Sequence, residues 1–118
     1  MLADGIGLAS NEIEILSEPG EFYSRLIENI RSAEKELILT SLYIGNGEKE
    51  SKLYDEIDKF LERGGNATII LDYNRGQRGK KSSIENLRQS MLKYPETLKV
   101  YVSLNFLLYY NFSMTCFF

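Results

Sequence analysis

The sequence predicts an α/β domain, a mainly parallel sheet with helices on both faces, and three observations lead there. Leu37-Ile38-Leu39 and Ala67-Thr68-Ile69-Ile70-Leu71 are short, almost continuous apolar runs, the pattern of strands covered on both sides. Apolar residues elsewhere recur at helical spacing: Phe22, Leu26, Ile30 and Ala33; then Leu53, Ile57, Phe60 and Leu61; then Ile84, Leu87 and Met91. The two kinds of segment alternate along the chain, the signature of strands joined in parallel by crossover helices.

Taken in order, Glu12-Ile13-Glu14-Ile15-Leu16 alternates charge and aliphatic and reads as a first short strand. Ser17-Glu18-Pro19-Gly20 breaks it, with Ser17 placed to cap an amphipathic helix over about 20–34. A buried strand runs through 36–44 and stops at Gly45-Asn46-Gly47. The second helix ends at Gly64-Gly65, and the next buried strand reaches Asp72. A loop rich in glycine and arginine follows, then a third helix ending near Pro95. Leu98, Val100, Val102 and Leu104 alternate with Lys99, Tyr101 and Ser103, which suits a half-exposed strand. The expected order is β-α-β-α-β-α-β over residues 12–104. Residues 105–118 hold no charge and no helical period, and read as a divergent apolar tail outside that core. Asn105 and Asn111 interrupt it, and a spanning helix needs roughly 20 apolar residues.

Composition narrows the function. The chain has 118 residues, 43% hydrophobic and 26% charged, with a formal net charge of −3. That balance is ordinary for a globular domain and speaks against nucleic acid, which is gripped through a basic face. The single cysteine, Cys116, forms no internal disulfide and no Cys/His metal site. There is no histidine, so a Ser-His-Asp triad is excluded. The N-terminal residues show neither a secretory signal nor a transit peptide.

Two loops can carry chemistry, and both follow strands at the carboxyl end, where such sheets bind ligands. Arg75, Arg78, Lys80 and Lys81 put four cations within seven residues, spaced by Gly76 and Gly79. Guanidinium forks bind phosphate in a bidentate way, and glycines let the backbone approach an anion. Spacing alone leaves two readings level: a phosphate or pyrophosphate site, or a solvated turn with surface cations. Ser41-Leu42-Tyr43-Ile44-Gly45-Asn46-Gly47 ends the strand before it. It lacks the glycine-lysine-serine/threonine ending of a Walker A loop. Asp72, at a strand end, reads as an anchor for the Arg75–Arg78 loop, with a Mg²⁺-dependent phosphotransfer role as the weaker alternative.

Together, Ser41-Leu42-Tyr43-Ile44-Gly45-Asn46-Gly47 and Leu71-Asp72-Tyr73-Asn74-Arg75-Gly76-Gln77-Arg78-Gly79, in this order, resemble the eukaryotic-type phosphatidylglycerophosphate synthases. These are CDP-diacylglycerol–glycerol-3-phosphate 3-phosphatidyltransferases of the phospholipase D superfamily. The resemblance runs from about Ile13 to Leu104 and includes the helix entry at Ser17 to Phe22 and Tyr94-Pro95-Glu96. It implies a partial phospholipase D-like lobe over residues 12–104, mitochondrial, in the pathway to cardiolipin. It implies CDP-diacylglycerol and glycerol-3-phosphate as partners, no cofactor, and a peripheral membrane association of the full-length enzyme. Catalysis in that family uses two H-x-K-x₄-D motifs: one histidine attacks phosphorus and the other moves the proton. This chain holds neither motif. The expectation is therefore an N-terminal portion of such an enzyme, inert alone. The contacts that transfer are to nucleotide or phosphate, from Ser41, Tyr43, Gly45, Gly47, Arg75, Gly76, Arg78 and Gly79. The alternative is a non-catalytic phosphate- or nucleotide-binding α/β module.

Overall fold

In a computed structural model, which describes residues 7–76, 82–103 and 115–117, four strands form one sheet in the order β3-β2-β1-β4. Helix α1 spans Pro19–Ser32, β1 Glu36–Ser41, α2 Glu48–Glu62, β2 Asn66–Asp72 and α3 Tyr73–Gly76. Helix α4 spans Ser83–Lys93, β3 Leu98–Ser103 and β4 Thr115–Phe117. β1 pairs in parallel with β2, from Glu36 opposite Asn66 to Ser41 opposite Leu71. β2 pairs in parallel with β3, from Ala67 opposite Leu98 to Asp72 opposite Ser103. The α/β class and the parallel sheet stand as expected.

Three expectations are corrected. Residues 12–16 form no strand: a 3₁₀ turn, Ser10–Glu12, precedes an extended stretch in which Ile13 and Ile15 are 58% and 90% exposed. Alternation alone does not make a strand; a sheet edge must be free to receive it. The edge beside β1 is taken by β4, which runs antiparallel with Ile38 opposite Phe117 and Thr40 opposite Thr115. So residues 115–117 of the apolar tail belong to the sheet after all.

The helices, thirdly, are one-sided. Going β1-α2-β2-α4-β3, the chain steps the same way across the sheet twice. Right-handed crossovers taken in one direction leave their helices on one face. α1 joins that layer by packing on α2, and α2 packs on α4. The strand residues facing them are buried: Leu37, Leu39 and Ser41 in β1, and Ala67, Ile69 and Leu71 in β2. The alternate residues, Ile38, Thr40, Thr68 and Ile70, are only half-buried. Among the described residues the long helices cover one face, not both.

The core beneath that layer is Leu26, Ile27, Ile30, Leu53, Ile57, Phe60, Leu61 and Leu87 set on the strand residues just named. Full burial of a side chain of this size stabilises by about 1.5–3 kcal/mol. Helix ends are closed locally. At α1, Pro19 takes the first helical position, and the Glu21 carboxylate accepts from the backbone N–H groups of Ser17 and Glu18, each at 3.3 Å. The N-cap position falls on Glu18 rather than on the expected Ser17. At the end of α2, Gly64 adopts φ +89°, a left-handed conformation that a side chain resists. Gly65 lies so close to the Phe60 ring that a Cβ there would stand 2.2 Å from it.

One charged group sits inside the helix layer. Glu56, 3% exposed, accepts from Arg31 of α1 at 2.8 Å and from Lys59 at 3.2 Å. The Arg31 hydrogen bond, helped by Lys59, outweighs the burial that opposes it and holds the carboxyl at about 2, below its ordinary 4.5. A depressed carboxylate stabilises the fold above the unfolded value and loses that contribution as pH falls through the folded one. The thermal midpoint should therefore fall as pH drops from about 4.5 towards about 2, and Glu56→Gln should flatten that part of the profile. An unchanged slope in the variant, followed by circular dichroism, would remove Glu56 as its cause.

Strand β4 gives a second expectation. Deleting residues 105–118 strips the ladder from one side of β1 and leaves its N–H and C=O groups open. The trimmed chain should melt at a lower temperature and scatter more light on heating. An equally stable, monomeric product would show that β4 is dispensable.

Candidate functional site

Parallel pairing of β1 with β2 fixes where the two loops leave the sheet. Ser41 ends β1 opposite Leu71, and Asp72 ends β2 one residue later. Both loops thus leave the carboxyl end of the sheet from adjacent strands.

The first loop, 41–47, is held by side chains from two helices. Ser41, 5% exposed, donates its hydroxyl to the Tyr43 carbonyl at 2.8 Å. The Ser83 hydroxyl, buried at the start of α4, accepts from the Ile44 N–H at 2.9 Å and donates to the Ile44 carbonyl. Tyr54 of α2 donates its hydroxyl towards the Ile44 and Gly45 carbonyls at 3.3 and 3.4 Å. Burial pushes that phenol's pKa up, so it stays a neutral donor. Asn86 of α4 donates to the Asn46 side chain at 2.6 Å. The loop is a rigid rim rather than a loose turn. Tyr43 projects from it 53% exposed.

The second loop begins at Asp72, which has no exposed surface. Its Oδ1 accepts from the Arg75 N–H at 2.8 Å, three residues on, and so caps the single turn of α3. Its Oδ2 is buried and has no hydrogen-bond partner among the described residues. Arg75 and Gly76 lie in α3, at the end of β2. Gln77, Arg78, Gly79, Lys80 and Lys81 lie outside the described residues, so the convergence of Arg75 with Arg78 is not described. The capping of α3 gives Asp72 the anchoring role read from the sequence. Among the described residues no group of three or more Asp, Glu or Cys is arranged to hold a metal ion.

Beside the first loop, between α1 and α2, opens a cavity of about 360 Å³. Phe22, Tyr23 and Leu26 form one wall and Leu53 another, while Ser41 to Gly45, Lys49 and Glu50 line the rest. Tyr23 closes one side by donating its hydroxyl to the Lys49 carbonyl at 2.8 Å. The sequence reading found Ser41, Tyr43 and Gly45 but missed Tyr23, Glu50, Tyr54, Ser83 and Asn86, which line the cavity or brace its rim. Tyr54 and Asn86 leave no local signal. Glu50 does: it stands three residues after Gly47, where a glutamate reaches back over a helix start.

Comparison with known proteins bears on the family and the fold. No protein-family model matches the chain. Curated relatives do. The chain is 34% identical over 107 residues to the chicken protein named "CDP-diacylglycerol--glycerol-3-phosphate 3-phosphatidyltransferase, mitochondrial", and 33% identical to the human one. Each match covers 84% of this chain. The chain belongs to the phosphatidylglycerophosphate synthase family. It spans 19% of the length of those relatives, and the vertebrate members are mitochondrial by name. A slime-mould relative, Dictyostelium discoideum, carries the same enzyme name, marked probable, at 30% identity over 76% of the chain. Among solved structures, the chain superposes on phosphatidylserine synthase of Haemophilus influenzae with a TM-score of 0.64 and 26% identity. That match covers 75% of this chain and 20% of the other. A phosphatidylglycerophosphate synthase segment and a phosphatidylserine synthase thus share this α/β fold.

In this family member the rim depends on Ser83, whose one hydroxyl satisfies both backbone groups of Ile44 in a buried place. Ser83→Ala leaves an N–H and a C=O without that partner and should cost about 1–3 kcal/mol, read by denaturant unfolding. Ser83→Thr, which keeps the hydroxyl, should recover part of it. A neutral alanine variant would show the rim to be held by other contacts.

Proposed function

We propose that this chain supplies the lobe of a phosphatidyltransferase that positions CDP-diacylglycerol, in an enzyme that transfers the phosphatidyl group to glycerol-3-phosphate. It resides in the mitochondrion and feeds the pathway to cardiolipin. Residues 12–104 carry the family's partial lobe, and residues 105–118 are a divergent tail whose far end has joined the sheet. The observation that carries this reading is 34% identity over 84% of the chain to relatives of that name. It is supported by the departure of the two signature loops from adjacent strand ends. Ser41, Tyr43, Gly45 and Gly47 are the contacts on one loop; Arg75, Gly76, Arg78 and Gly79 are those on the other, with the guanidiniums facing phosphate. The partners are CDP-diacylglycerol and glycerol-3-phosphate, met at a membrane surface by the longer enzyme. Among the described residues no helix is long and apolar enough to cross a membrane.

Transfer by this family's chemistry needs a histidine nucleophile and a histidine proton shuttle, and the 118 residues contain none. The lobe therefore binds without turning over when alone. Incubating the purified chain with CDP-diacylglycerol and glycerol-3-phosphate should release no CMP. Release that rises in proportion to the chain's concentration would overturn this. Binding of the CDP-lipid with no release of CMP is the result expected.

A further inference from the structure

We propose that the cavity between α1 and α2 takes an uncharged, hydroxyl-bearing ring, the nucleoside part of a nucleotide ligand, with Glu50 as its specificity-determining residue, and that the Gly45–Gly47 turn holds no phosphate. This rests on the nucleotide-binding reading above and divides its contacts between the two loops.

The glycines themselves point this way. A Cβ on Gly47 would stand 2.5 Å from Glu50 Oε2, and one on Gly45 would stand 3.2 Å from Glu50 Oε1. The carboxylate of Glu50 lies over the turn and fills the space that a bound anion would need. Both glycines are explained by that close approach. A phosphate brought to the same turn would meet a like charge at short range. The remaining polar groups of the rim offer it little. The Ser41 hydroxyl and the Ile44 N–H are already donated, to Tyr43 and Ser83. Lys49 is engaged with the Tyr23 ring, its Nζ 5.4 Å from the centroid.

The cavity's chemistry suits a different group. An ionised carboxylate only accepts hydrogen bonds, so Glu50 selects a ligand that brings O–H or N–H donors. Phe22 and Tyr43 stand 41% and 53% exposed at the cavity, and Tyr23 forms part of its wall. Aromatic faces stack on planar bases with little regard to sequence. Leu26 and Leu53 complete an apolar floor. A hydrocarbon chain would fit the floor but would leave the Glu50 carboxylate desolvated and unanswered. A nucleoside answers both, with its ring on the aromatics and its hydroxyl or amino groups on Glu50. The anionic part of the same ligand would then lie towards Arg75, in the short helix that follows the neighbouring strand β2.

Amide chemical shifts of the whole chain, titrated with cytidine, CMP and inorganic phosphate, test this. Cytidine should shift the amides of Tyr23, Tyr43 and Glu50, and phosphate should leave Gly45 and Gly47 unmoved. Glu50→Gln keeps the shape but loses the charge and should weaken cytidine about tenfold, while Glu50→Ala, which empties the space over the turn, should let phosphate reach Gly45–Gly47. Phosphate shifting Gly45 and Gly47 in the wild type, cytidine leaving the cavity silent, or Glu50→Gln binding cytidine unchanged would each overturn the proposal. The wider reading fails separately. If CMP binds no tighter than cytidine while the cavity responds, the phosphate role of Arg75 is lost and the assignment of Glu50 stands. If CMP shifts residues 73–76 alone, the assignment of Glu50 is lost and the nucleotide-binding reading stands.

Discussion

The parallel ladder between β1 and β2 is the constraint on which the rest of this molecule depends. Because Glu36 pairs with Asn66 and Ser41 with Leu71, two segments thirty residues apart in sequence finish side by side. The α2 crossover makes that pairing possible, and its buried face, Leu53, Ile57, Phe60 and Leu61, pins the crossover to the sheet. The rim loop and the Asp72 turn inherit their positions from this ladder. Shifting the register by one residue would exchange Leu39 and Ile69 with Ile38 and Ile70 between the covered and open faces. The core would then lose its fully buried layer, and the two loops would leave the sheet out of step.

Much of this was legible in the sequence because the signals were local. Short apolar runs bounded by glycines marked β1 and β2, and the helical spacing of Leu53, Ile57 and Phe60 marked α2 within a few residues. What failed was non-local. Ile13 and Ile15 alternate with glutamates as a strand would, but alternation says nothing about whether an edge is vacant. Thr115–Phe117 has no strand signature beyond its apolar character, yet it holds the place beside β1. The one-sided helix layer follows from the direction of two successive crossovers, which no residue encodes by itself.

The candidate site divides in the same way. Its two loops announced themselves as glycine-bounded motifs at strand ends, and Asp72 as an anchor three residues before Arg75. Their bracing did not. Ser83 and Asn86 reach the rim from α4, some forty residues later, through contacts that exist only after the crossovers have formed. Glu50 was readable in principle, since a glutamate three positions after a helix-capping glycine is a local pattern. Its meaning changes once its carboxylate is seen over Gly45 and Gly47: a residue that looks like helix punctuation decides which chemistry the turn admits.

The antiparallel pairing of β4 bears on how the chain reaches this state. β1 finds β2, and β2 finds β3, across intervals of about thirty residues, each bridged by a helix that forms quickly by itself. The partner on the other side of β1 comes from the far end of the chain, and closing so long a loop is the slowest and entropically costliest step of the assembly. Until the residues from Thr115 onward arrive, β1 is an open edge carrying Leu37, Ile38 and Leu39. That interval is when a second molecule can dock there instead. The sheet's final strand therefore acts in time as well as in space: how fast it arrives decides between a closed monomer and edge-to-edge association.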